Sequence, residues 1–150
     1  MSISRRSIAS ALATAFSAAN VTAPNGETAI RVADYKLPDM IGPCPAVYVF
    51  PPEEEFSYPP SMRISEQDWR VRFFIYKLQD TGRQMDLLYK WADVLATQLD
   101  DRVHLELSDS VLTADVMGMK VGTLSYADEA FDGVELAIRV SAQEAVTYTG

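Results

Sequence analysis

The ten residues from Trp69 to Leu78 leave this chain little choice of conformation. The run is rich in β-branched and aromatic side chains and has neither glycine nor proline, which favours a strand. Alternation places Trp69, Val71, Phe73 and Ile75 on one face. Arg70, Arg72, Phe74, Tyr76 and Leu78 fall on the other. Aromatic residues on both faces predict a central strand, covered at least in part on each side. A proline-punctuated stretch, Pro43 to Pro52, precedes it and holds a short buried strand at Ala46–Phe50. A helix is expected to follow over Thr81–Leu99. Thr81 and Gln84 have the spacing of a capping box. Met85, Leu88, Ala92, Leu95 and Leu99 recur at helical period, with Trp91 beside them. Such a stripe is far more often core than a cofactor pocket. The order of parts builds a sheet with a helix packed across it.

The remaining segments extend this pattern. A first helix is expected over Ser4–Ala19, with Ser4 or Ser2 as N-cap and Asn20 near its end. Ile8, Leu12, Phe16 and Ala19 give it one apolar face, which predicts packing against the sheet or the second helix. The same segment also reads as a basic and then apolar signal sequence, Arg5-Arg6 followed by Ala9–Phe16, although Ser10 and Thr14 interrupt the apolar part. Pro24-Asn25-Gly26 forms a turn. Thr28–Tyr35 reads as a strand with Ile30 and Val32 on one face, and Lys36–Pro43 as irregular chain. Pro51–Pro60 reads as a loop. Val111–Met117 and Met119–Ser125 read as two strands around Gly118. Asp132-Gly133 carries a turn signal, and Val134, Leu136, Ile138 and Val140 then alternate strictly with Glu135, Ala137, Arg139 and Ser141. The expected fold is α/β (α+β): one domain over residues 1–150, with a mixed, mostly antiparallel sheet packed by the N-terminal and central helices.

Composition narrows the function. A chain of 150 residues, 48% apolar and 23% charged, suits one ordinary globular domain with a full core. The formal net charge is -8, which argues against a nucleic-acid-binding surface. The acidity is uneven. Residues 1–50 hold 4 basic and 3 acidic residues, whereas residues 51–150 hold 9 and 18. Cys44 is the only cysteine and His104 the only histidine. An internal disulfide and the usual Cys/His zinc site are therefore excluded. Arg70 and Arg72, with Phe74 and Tyr76, could form a nucleic-acid platform, but a salt-bridged sheet face fits the acidic surroundings better. No paired carboxylates, phosphate loop or nucleophile elbow stands out. The expectation is no catalytic residue, no cofactor and no metal.

Two features suggest an interface instead. Glu53, Glu54 and Glu55 lie beside Phe56 and Tyr58 among the prolines of residues 51–60. Aromatic groups in such a segment provide apolar area for a partner. Asp100 and Asp101 end the central helix, where negative charge opposes the macrodipole at a cost of ~0.3–1 kcal/mol. That cost weakly suggests a role in contacts.

The whole chain resembles the tail terminator proteins of long-tailed phages, also described as minor tail or tail completion proteins. The resemblance lies in the order of parts. It comprises the N-terminal helix and first strand, the Pro45–Pro52 segment, the Trp69–Leu78 strand running into the Thr81–Leu99 helix, and the closing strand at Gly133–Ala142. Neck and connector proteins of phages have similar parts. The resemblance implies a virion protein, assembled in the host cytoplasm and placed at the neck end of the tail. It implies a ring of identical copies, expected as a hexamer, that caps the tail tube and stops its growth. Its partners would be the major tail tube protein and the head–tail connector or neck proteins. DNA would pass through the lumen without specific binding, and no membrane would be involved. The alternative from another class is a secreted or periplasmic binding protein with an N-terminal signal. A small enzyme with an unrecognised site is a third.

Overall fold

Two long hairpins make most of the sheet. The computed structural model describes residues 4–60, 62–78, 85–98 and 111–145. In the first hairpin, β2 (Ala46–Ser57) pairs antiparallel with β3 (Met62–Lys77). In the second, β4 (Val111–Tyr126) pairs antiparallel with β5 (Glu129–Ala145). The hairpins join where β3 and β5 run antiparallel, with Val71 opposite Leu136 and Trp69 opposite Ile138. A short β1 (Val32–Asp34) adds to β2 in parallel, so the order is β1-β2-β3-β5-β4. The result is one α+β domain with a five-stranded mixed sheet, and β3 is its middle strand.

Both helices lie on one face. In α1 (Arg5–Ala15), the Ser4 side chain caps the first turn by accepting from the Ser7 amide at 3.2 Å. Asn20 closes the other end by donating to the Thr14 carbonyl at 2.7 Å. Ile8, Leu12 and Phe16 are fully buried, and the Phe16 ring meets Phe73 edge-on at 5.7 Å. The apolar face expected from their spacing therefore packs on the sheet, over β1 and β2. In α2 (Met85–Gln98), Leu88, Trp91, Ala92 and Leu95 are buried, and the helix lies over β4 and β5. Trp91 sits within the apolar stripe, not beside it. The sheet supplies Val47, Val49, Trp69, Val71, Phe73, Val134, Leu136, Ile138 and Val140 to the same core. Burying each such large side chain contributes about 1.5–3 kcal/mol.

The opposite face is covered at one end only. Phe74 points there, and its ring packs against those of Tyr48, Phe50, Tyr126 and Phe131 at centroid distances of 6.3, 6.5, 5.9 and 5.2 Å. Ile41, Ala46 and Leu124 complete this smaller cluster, and Val32 and Cys44 pack against it. The irregular stretch before β2 serves as its lid, fastened by the Tyr126 hydroxyl donating to the Pro38 carbonyl. This arrangement gives the central strand aromatic residues on both faces.

Several local expectations need correction. Residues 51–57 are not a loop, because they continue β2 and pair with Ile64–Asp68. The prolines do not end the strand, since they stand in a bulge on its unpaired edge. β3 accordingly begins at Met62, well before Trp69. Val111–Tyr126 is one strand with a bulge at Met117 rather than two strands around Gly118. Asp132 and Gly133 lie within β5; the hairpin turns at Ala127-Asp128, both with positive φ. Gly133 has a different duty, because a Cβ there would fall 2.0 Å from the Phe73 carbonyl oxygen. The first strand is confined to Val32–Asp34. Ile30 joins the helix-side core while Val32 packs on the other face, so the two do not share one. The expected capping box at Thr81 and Gln84, and His104, lie outside the described residues.

Candidate interaction surface

The outer part of β2 owes its geometry to one irregularity. Phe50 pairs with Arg70 and Glu53 with Asp68, so Pro51 and Pro52 together stand opposite Trp69. Two residues against one is a β-bulge, and it reverses which side chains face which way. Before the bulge, Val47 and Val49 face the helices. After it, Glu54 and Phe56 share that face, opposite Gln67 and Ser65. Glu53 and Glu55 point to the open face, opposite Asp68 and Glu66.

Glu54 is anchored. The Trp69 indole donates to Gln67 Oε1 at 2.8 Å, and Gln67 Nε2 donates to Ser65 Oγ at 3.2 Å. Ser65 Oγ in turn donates to Glu54 Oε1 at 3.3 Å. Arg5 of α1 donates from Nε to Glu54 Oε2 at 2.7 Å. Gln67 and Ser65 are buried polar groups, and this chain of bonds satisfies them. The Arg5 end is half exposed, so that pair contributes at most about 1 kcal/mol. Its effect is positional, because it ties the start of α1 to the outer hairpin.

The other expected contact residues are exposed. Phe56 is 44% exposed, and the Arg63 guanidinium lies over its ring at 5.5 Å. Tyr58, just past the strand, is 67% exposed. On the open face Glu55 stands directly across from Glu66, and Glu53 from Asp68. Like charges placed so are unfavourable. Arg139 relieves one side of this group, with Nε 3.3 Å from Asp68 Oδ1. The structure thus brings Glu53, Glu54, Glu55, Phe56 and Tyr58 together at the outer end of one hairpin and divides the acids between its faces. Asp100 and Asp101 lie outside the described residues.

On the arginine-bearing face of β3, Arg72 is held internally. Arg72 Nε lies 2.6 Å from Glu135 Oε2, and its guanidinium covers the Phe50 ring at 4.3 Å. At Arg72 this is the salt-bridged sheet face expected from the sequence, whereas Arg70 is exposed. A buried carboxylate that sequence reasoning missed is Asp132. It accepts from the Tyr76 hydroxyl at 2.7 Å and from Thr123 Oγ1 at 3.4 Å, knitting β3, β5 and β4 across one row. Its position before Gly133 masked it as turn chemistry. Cys44 is half buried, and that burial pushes its thiol pKa up, against a smaller opposing influence of Arg31. Among the described residues no group of three or more His, Cys, Asp or Glu side chains could hold a metal ion, and no helix is long and apolar enough to cross a membrane.

A second feature sits at the opposite edge of the sheet. β4 is an edge strand of 16 residues. Its bulge leaves Met117 unpaired and 56% exposed, and Met119 is 42% exposed. Between Val116 and Tyr126 the only charged side chain is that of Lys120. Comparison with known proteins finds no family model that matches this chain and no curated protein similar to it.

Proposed function

We propose that this protein is a structural virion component, a tail terminator that assembles as a ring on the end of a phage tail tube. The ring ends tube growth and presents a docking face to the head–tail connector, while DNA passes through its centre unread. The reading rests on the resemblance in the order of parts. One structural observation supports it: among the described residues, neither the outer part of β2 nor β4 has a strand on its outer side, and each carries exposed apolar groups. Aromatic groups sit on β2 at one edge and methionines on β4 at the other. A subunit that presents different patches on opposite sides suits head-to-tail association, which gives either a closed ring or a filament. The chemistry is therefore geometric, with no bond made or broken.

The test is native mass spectrometry of the purified chain, followed by electron microscopy with tail tubes. The expected result is a closed oligomer, a hexamer on the family resemblance, seated on tube ends, with overlong tubes formed when it is left out. A chain that stays monomeric and leaves tube length unchanged would remove this reading. Binding to the connector but not to tubes would reassign it to another neck component.

A further inference from the structure

We infer that the outer part of β2, Glu53–Ser57, lies against the free edge of β4 in a second copy of this chain, so that the sheets of neighbouring subunits run into one another. The inference rests on the ring reading and names the surfaces that would build it.

The argument begins with the edges. Beyond Tyr48, β2 has no partner on its outer side among the described residues, because β1 pairs only with Ala46–Tyr48. β4 likewise has no neighbour outside it among the described residues. Open edges present unpaired N–H and C=O groups and are natural templates for another strand. Pro51 and Pro52 lack N–H groups, so they limit any pairing on the β2 side to about the five residues that follow, roughly 17 Å of strand.

The faces then match. In a continuous sheet, side chains that share a face in one subunit meet those on the same face of the next. Phe56 is on the helix side, opposite Ser65. Met119 is also on the helix side, opposite Leu136. Aromatic ring against thioether is a favourable contact. Glu53 and Glu55 are on the open side. So is Lys120, opposite Glu135, whose other neighbour is Arg72. The outer part of β2 carries only negative charges, and the exposed stretch of β4 carries a single positive one. Adjacent residues Glu55 and Phe56 thus alternate in the same sense as Lys120 and Met119. Docking places a cation near the crowded Glu53, Glu55, Glu66 and Asp68, relieving a repulsion that the lone subunit retains.

Two variants of the full chain test this. One carries Phe56→Ser and Tyr58→Ser; the other carries Met119→Glu and Lys120→Glu. All four side chains are at the surface, and thermal unfolding checks that each variant is folded. In native mass spectrometry the parent is expected to be oligomeric and each variant alone monomeric, with association weakened roughly 30-fold or more. An equal mixture of the two variants is expected to give a one-to-one heterodimer and nothing larger. That outcome arises because the intact outer part of β2 in one copy meets the intact β4 edge of the other, and no second contact remains. If either variant keeps the parent's oligomer, or if the mixture yields no heterodimer, this interface is wrong while the ring reading stands. If the parent itself is monomeric at every concentration, both fall.

Discussion

The two halves of β2 belong to one strand but obey different constraints. Ala46–Val49 are buried and pack on both faces, and Ala46–Tyr48 also pair on both sides. Among the described residues Glu53–Ser57 pair on one side only, and Phe56 and Glu54 are the only ones of them with described contacts on the helix side. In the inner half every side chain is explained by the fold. In the outer half the described contacts account for Glu54, hold Phe56 only through Arg63, and leave Tyr58, Glu53 and Glu55 exposed. The boundary between the two regimes is the bulge at Pro51-Pro52. Apolar groups that folding does not require are the ones best read as belonging to an interface.

This contrast can be broken at several points. The largest effect is expected from Phe73→Ala at the base of the hairpin, where the ring meets Phe16. Chemical denaturation should show a loss of about 3–5 kcal/mol. Gly133→Ala, also at the base, forces a Cβ against the Phe73 carbonyl, and should cost about 1–3 kcal/mol by the same measurement. Glu54→Ala removes the acceptor that ends the polar chain from Trp69. It should cost about 1 kcal/mol, with raised amide exchange in Ile64–Gln67. A loss of several kcal/mol at Glu54 would mean that the outer hairpin is part of the core after all.

A pH experiment sharpens the same comparison. Burial raises the Tyr48 pKa first of all, with Asp34, Tyr126 and Cys44 adding to it. A phenol whose folded pKa lies above its unfolded value contributes stability below the unfolded pKa, and that contribution is lost as pH rises through the folded one. The parent should therefore lose stability more steeply than Tyr48→Phe once pH exceeds about 10. Parallel curves would show that the inner half is more open to water than its packing implies. The smallest effect on stability belongs to the outer half. Phe56→Ser with Tyr58→Ser, compared with the parent at a dilution where both are monomeric, should change unfolding by no more than about 0.5 kcal/mol. An effect as large as that of Phe73→Ala would deny the division altogether.

Periodicity carried much of this structure into the sequence. Ile8, Leu12 and Phe16, the stripe of α2 and the alternation from Val134 to Val140 were all legible, because burial on one face imposes a period. The outer half of β2 was not. Prolines and three successive glutamates look like solvated loop, and only the pairing partner across the hairpin shows that an edge tolerates them. The turn at Ala127-Asp128 was hidden for a related reason: it uses positive φ without a glycine or asparagine to announce it, while Asp132-Gly133 offered a false signal. Gly133 is required by a close approach between strands, which no local pattern reveals. For the candidate surface, the sequence supplied Glu53, Glu55, Phe56 and Tyr58 but not their faces. Parity along a strand cannot be counted through a bulge that is not yet known.

The seam between β3 and β5 has a kinetic consequence. Each hairpin contributes one inner and one outer strand, and both hairpins are local in sequence. Isolated hairpin formation takes about 1–10 μs, whereas uniting distant segments carries a loop-closure cost that slows the search. The seam should therefore be the rate-determining event, with the two hairpins as preformed halves. Conservative truncations at Val71 or Ile138 should slow refolding, while one at Ala114, on the outer strand, should mainly speed unfolding. On this view β3 and β5 act as the nucleus, and the edges left for a neighbouring copy are the last parts of the sheet to settle.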